Sequence, residues 1–132
     1  MKTILVVDDD ENIRNLIRDA LENHEYHIYE ACDGDDACNI IKSNQFDLII
    51  TDIVMPNKNG IELIMDMIKL KLDTPIIAIS GGGGITGRFD YLPIAKLIGA
   101  VYIIEKPFDI SFFRKTIAQA LVDRNASKDC AG

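Results

Sequence analysis

Acidic, hydroxyl and amine side chains follow several short apolar runs of this sequence. Asp8 and Asp9 come directly after the first run, and Asp52 ends the third. Ser80 ends the fourth run, and Lys106 follows the last. Carboxylates that lie close together repel one another, and a cation or a proton relieves that repulsion. Oxygen ligands with no Cys or His nearby favour a hard cation, so the pattern indicates Mg²⁺ rather than Zn²⁺.

A carboxylate can also attack phosphorus and form an aspartyl-phosphate. Phosphoryl transfer mainly requires charge neutralisation and alignment, which a metal ion and one lysine can supply. We therefore predict that Asp52, alone at its strand end, is the nucleophile, and that Asp8 and Asp9 hold the metal. Lys106 would pair with the phosphoryl oxygens, and Ser80 would donate a hydrogen bond to one of them. Each residue taken singly could instead be a helix cap, a loop acid, a solvated lysine or a turn serine.

The elements that must position these residues are short apolar runs that alternate with amphipathic stretches. Nearly unbroken apolar runs are typical of strands buried on both faces of a parallel sheet, and they occupy residues 4–7, 48–50, 76–79 and 101–104. The more polar run 26–30 predicts an edge strand. Apolar residues at helical spacing follow the runs, with the weakest helix expected at 91–98. The alternation predicts an α/β fold: a five-stranded parallel sheet with helices on both faces. Ligands of such sheets bind at the carboxyl ends of the strands.

Length and composition limit the class of protein. The 132 residues suit one domain, expected at 1–124, with a flexible tail at 125–132. A net charge of −7 argues against direct DNA binding. The three cysteines form no disulfide framework, which favours a reducing, cytoplasmic location. No apolar run approaches the roughly 20 residues that a membrane span needs.

In order and spacing, these residues resemble the receiver domain of two-component response regulators, particularly its stand-alone members of the chemotaxis-regulator type. The matching segments extend from about residue 3 to residue 122. They are Ile4-Leu5-Val6-Val7-Asp8-Asp9, Asp33-Gly34 with Ala37, 47–56 with Gly60 eight positions after Asp52, 75–80, Gly99-Ala100, and Lys106-Pro107-Phe108. The resemblance implies a flavodoxin-like strand order, 2-1-3-4-5.

The resemblance also implies roles for individual residues. Asp52 would accept a phosphoryl group from a phosphohistidine of a sensor histidine kinase or phosphotransfer protein. Asp9 and Asp52 would bind Mg²⁺ directly. Asp8 would act through water, and the main-chain carbonyl of Val54 would be a further ligand.

Ser80 would be the switch hydroxyl and Lys106 the lysine of the family motif. Phosphorylation would change the surface formed by residues 91–122, which would contact a downstream protein or a second copy of the chain. Two departures from the family pattern are Ile103, where an aromatic ring is usual, and the glycine-rich insertion at 81–88.

One alternative function is a Mg²⁺-dependent phosphatase of the haloacid-dehalogenase type, which also forms an aspartyl-phosphate. Such enzymes carry a second acid two residues after the nucleophile, and here that position is Val54. A receiver that has lost phosphorylation and only binds proteins is a second alternative. It is weakened because all five chemically active side chains are present. We therefore expect a signalling module that catalyses only its own phosphorylation and dephosphorylation.

Overall fold

The structure, a computed structural model, describes residues 2–21, 26–53, 60–70, 74–80, 102–105 and 108–131; for residues 80 and 123–131 it describes the backbone. Strands and helices alternate along these residues. In chain order they are β1 (Lys2–Val7), α1 (Glu11–Leu21), β2 (Tyr26–Ala31), α2 (Gly34–Ser43), β3 (Leu48–Asp52), α3 (Gly60–Lys69), β4 (Ile76–Ser80), β5 (Tyr102–Glu105) and α4 (Ile110–Ala131). The predicted helix at 91–98 and the glycine-rich segment 81–88 lie outside the described residues.

All five strands are parallel and form one sheet in the order β2-β1-β3-β4-β5. This confirms the predicted fold class, the strand order and the edge position of β2. The register brings the carboxyl ends of the central strands level, because Val7 lies opposite Thr51 and Asp52 lies opposite Ile79. Side chains that follow β1, β3 and β4 therefore emerge at one edge of the sheet.

The core consists of one apolar layer on each face of the sheet. Alternate residues of β1 point to opposite layers, as the pleat requires: Leu5 packs with residues of α2 and α3, whereas Ile4 packs with residues of α1 and α4. Phe113 of α4 is fully buried and stacks on Phe108, with ring centroids 5.0 Å apart. The prediction of helices on both faces is confirmed.

The last helix is longer than its apolar pattern. α4 continues to Ala131, past residue 124, after which a flexible tail is predicted. The segment from Ser111 to Ala131 contains no proline or glycine, so nothing in it stops a helix once the buried first half has nucleated one. The division of the chain at residue 124 stays a prediction. Within the described ranges, no helix is both long and apolar enough to cross a membrane.

Candidate functional site

Three aspartate side chains meet at the carboxyl edge of the sheet. Asp8, Asp9 and Asp52 each offer one carboxylate oxygen, and these oxygens all lie within 4.8 Å of one another. Asp8 is only 1% exposed and Asp52 only 6%, whereas Asp9 is exposed. Two of the acids therefore line the floor of the site, and the third lies on its solvent side.

Asp8 is held by its backbone and by its side chain. Its N–H donates to the carbonyl of Ala31 at 3.1 Å, which extends the pairing of β1 with β2 by one residue. Its Oδ1 accepts a hydrogen bond from the backbone N–H of Asp10 at 2.9 Å. These two contacts fix where the carboxylate lies at the end of β1.

Asp52 is held by the packing of α3 against the end of β3. The N–H of Gly60 donates to the carbonyl of Ile53 at 2.9 Å, and the hydroxyl of Thr51 donates to the carbonyl of Asp52 at 2.9 Å. A Cβ atom added to Gly60 would lie 2.3 Å from the carbonyl oxygen of Asp52. The first residue of α3 thus needs to be glycine because the helix touches the main chain of the site.

A basic network behind Asp8 did not emerge from the sequence analysis. Arg14 of α1 donates from Nη1 to the carbonyl oxygen of Asp8 at 2.6 Å, and from Nε to Oε1 of Glu30 at 3.1 Å. Arg18 donates to the other carboxylate oxygen of Glu30. The available signal was two arginines four residues apart, which share one face of a helix, together with an acid in the polar edge strand.

Because of this network, the free energy of unfolding should decrease at acid pH. Partial burial raises the pKa of Glu30, but the hydrogen bonds and charges of Arg18 and Arg14 outweigh burial, so the pKa lies below its usual 4.5. A lowered folded-state pKa gives stability that is present above the unfolded-state value and is lost as the pH falls through the folded-state value. We expect the free energy of unfolding to fall below about pH 4.5, and Glu30→Gln to remove part of that fall.

Urea unfolding at several pH values, followed by circular dichroism, measures this effect. The difference in stability between wild type and Glu30→Gln should be constant near neutral pH and should shrink below pH 4.5. A difference that stays the same across the acid range would contradict the assigned role of the ion pairs.

The donor set of the acidic site fits a hard divalent cation. Its three oxygen ligands carry negative charge, and the group contains no Cys or His. Mg²⁺ keeps several waters and commonly takes only one or two protein carboxylates with phosphate oxygens. One exposed and two buried carboxylates suit such a partly hydrated ion. The arrangement can therefore gather a cation, and next to it a phosphoryl group, at the end of β3.

The other predicted site residues are placed only in part. Ser80 is the last residue of β4 and lies opposite Glu105 of β5, so its backbone reaches the same sheet edge, one residue beyond the partner of Asp52. Val54 and Lys106 lie outside the described residues. Ile103 is half-buried in β5, opposite Ala78 of β4.

Comparison with known proteins identifies the family. Residues 4–118 match the model of the response regulator receiver domain. The chain is 35% identical over 131 residues to the response regulator ArlR of Staphylococcus aureus, covering 98% of this chain and 56% of ArlR. It is 32% identical over 127 residues to the DNA-binding transcriptional regulator NtrC of Azospirillum brasilense, covering 90% of this chain and 24% of NtrC. The chain thus spans only about a quarter to just over half of these curated relatives.

A solved structure gives the same result. The response regulator TrrA of Thermotoga maritima, in complex with Mg²⁺-BeF, is 31% identical, with a TM-score of 0.79 over 91% of this chain and 99% of TrrA. Neither the matching family nor these relatives support the alternative of a haloacid-dehalogenase-type phosphatase. The chain belongs to the family of response regulator receiver domains, the signalling modules of two-component systems.

Proposed function

We propose that Asp52 is the phosphoacceptor of this receiver domain and that Mg²⁺ is its cofactor. The observation that carries the proposal is the meeting of three carboxylates within 4.8 Å, with Asp52 on the floor of the site at the end of β3. Structural carboxylates can cluster without an ion. Here, however, two of the three are almost fully buried, which is costly for charged groups unless a cation or hydrogen bonds compensate.

The proposed reaction is transfer from a phosphohistidine of a sensor histidine kinase or phosphotransfer protein. A carboxylate oxygen of Asp52 forms a bond to phosphorus, and the bond between phosphorus and the imidazole nitrogen breaks. The electron pair of that bond returns to the imidazole, which then binds a proton. Main-chain contacts from Gly60 and Thr51 hold the end of β3, which would help to keep the attacking oxygen of Asp52 positioned for the transfer.

The metal would be held by Asp9 and Asp52, with Asp8 acting through water and the carbonyl of Val54 as a further ligand. A bound Mg²⁺ supplies neutralisation of the phosphoryl charge. Lys106 would pair with a phosphoryl oxygen, and the hydroxyl of Ser80 would donate a hydrogen bond to another. These two residues would thus supply a positive charge and a hydrogen-bond donor to the phosphoryl oxygens.

The proposed output is a change in the surface formed by residues 91–122, read by a downstream protein or by a second copy of the chain. With a net charge of −7, the domain is expected to act on a protein rather than on DNA. It would catalyse only its own phosphorylation and dephosphorylation. The cytoplasm, where sensor kinases present phosphohistidine, is the expected location.

Incubation with acetyl phosphate, followed by intact-mass spectrometry, tests the proposal. The protein should gain the mass of one phosphoryl group when Mg²⁺ is present and none when EDTA replaces it. A gain that does not depend on Mg²⁺, or no gain at any Mg²⁺ concentration, would contradict the proposed site.

A further inference from the structure

Arg14 of α1 contacts the main chain of the acidic site rather than one of its carboxylates. Its Nη1 lies 2.6 Å from the carbonyl oxygen of Asp8. That oxygen belongs to the peptide group joining Asp8 to Asp9, which is planar and rigid. This peptide plane joins the Cα atoms of Asp8 and Asp9, so its orientation is one of the factors that set the directions in which the two side chains leave the main chain.

Glu30 of β2 orients the arginine in turn. Its Oε1 accepts from Nε of Arg14 at 3.1 Å, and its Oε2 accepts from Nε of Arg18 at the same distance. The side chain of Arg14 is 17% exposed and that of Arg18 is 45% exposed. The inner arginine is therefore shielded and bound at both ends of its guanidinium, whereas the outer one is a surface ion-pair partner of modest energetic value.

We propose that Arg14 is a positioning residue for the metal site, which fixes the Asp8–Asp9 peptide plane so that both carboxylates face the cation. The inference rests on the proposed function, because it assigns Asp8 and Asp9 to the binding of Mg²⁺. Partners of this kind, which orient metal ligands without touching the metal, commonly contribute tenfold to a hundredfold to metal affinity.

The charge of Arg14 would act in the opposite direction. A guanidinium bonded to the main chain of a metal ligand repels an incoming cation, so removing its charge alone should strengthen Mg²⁺ binding. Removing its hydrogen bond to Asp8 should weaken binding, because the two ligands lose their fixed direction. The sign of the change in affinity therefore separates a positioning role from a purely electrostatic one.

Arg18 provides a matched control for the loss of positive charge and of an ion pair with Glu30. Arg14→Met and Arg18→Met each remove one positive charge and one ion pair with Glu30, but only Arg14→Met removes the hydrogen bond to Asp8. A role limited to the stability of the ion pair would change both variants in parallel. The dissociation constant for Mg²⁺ alone, measured by NMR titration well below the melting temperature, provides the readout.

We expect Arg14→Met to weaken Mg²⁺ binding by about tenfold and Arg18→Met to leave it almost unchanged. Equal affinities in the two variants, or tighter binding by Arg14→Met, would overturn the positioning role. If Arg14→Met does not fold, Glu30→Gln decides the question. That variant removes the ion pair and leaves one acceptor oxygen for two arginines. It should weaken Mg²⁺ binding to a smaller extent, and unchanged binding would refute the inference.

Asp52→Asn separates this inference from the proposed function. If the wild type binds Mg²⁺ and Asp52→Asn loses most of the affinity, the proposed site stands, and the arginine variants alone decide the role of Arg14. If the wild type binds no Mg²⁺, the proposed site fails and the positioning role fails with it.

Discussion

Replacing Asp52 with asparagine should abolish Mg²⁺-dependent phosphorylation by acetyl phosphate. The amide cannot supply the anionic oxygen that attacks phosphorus, and loss of a nucleophile typically lowers such rates by a factor of about a thousand or more. The amide also removes one of the three negative charges that gather the cation. Intact-mass spectrometry over a time course measures the rate of phosphoryl gain.

Asp10→Asn is the matched control for this variant. Asp10 follows the site residues directly, and its Oδ1 accepts a hydrogen bond from the N–H of Asn12 at 2.9 Å. An asparagine oxygen can accept the same bond, so the substitution changes the charge by the same amount without touching the three-carboxylate group. Its phosphorylation rate should stay close to that of the wild type. Phosphorylation of Asp52→Asn at the wild-type rate would show that the acceptor is another residue.

Replacing Gly60 with alanine should destabilise the protein and slow its phosphorylation. The added Cβ would lie 2.3 Å from the carbonyl oxygen of Asp52 and 2.9 Å from Cα of Ile53. Both neighbours are main-chain atoms, which cannot rotate away as a side chain can. α3 must then move off the end of β3, or the main chain of Asp52 must shift. Overpacking of this kind typically lowers the free energy of unfolding by about 1 to 3 kcal/mol, and contact with main-chain atoms on both sides favours the upper end of that range.

At Gly60, the helix propensity of alanine opposes the clash of its Cβ atom, and the larger of the two free energies decides whether the variant is less stable. Alanine is favoured over glycine inside a helix by about 0.5 to 1 kcal/mol, which is smaller than the cost of the clash. Met65→Ala is a suitable control, because Met65 lies in the same helix and is 46% exposed; it should change stability by less than about 0.5 kcal/mol. Urea unfolding gives both values. A Gly60→Ala protein as stable as the wild type would show that Gly60 does not lie in close contact with the main chain of Asp52.

The strands could be predicted because a strand that is buried on both faces consists of consecutive apolar residues, which are visible in the sequence. β1, β3 and β4 are buried along most of their length, and they appear in the sequence as continuous apolar runs. β2 is exposed at alternate residues, and its mixed composition correctly indicated an edge strand. The meeting of Asp8 with Asp52 followed from the same reasoning, since parallel strands bring their carboxyl ends to one edge.

The contacts that hold the site could not be predicted in this way. Arg14 reaches Glu30 sixteen positions further along the chain, and no period in the sequence marks such a pair. Gly60 was visible as part of a motif, but its close approach to the carbonyl of Asp52 depends on how α3 lies against β3. The full length of α4 could not be predicted, because a polar helical extension lacks the apolar pattern from which helices are predicted.

Locating the phosphoryl group along the chain tests the account most directly. Borohydride reduces an aspartyl-phosphate to homoserine, and tandem mass spectrometry of the digested protein then identifies the converted position. After incubation with acetyl phosphate and Mg²⁺, the conversion should occur at Asp52 and at no other aspartate. Conversion at Asp8 or Asp9, or a phosphoryl group retained on a serine or histidine, would contradict the assignment of Asp52 as the acceptor.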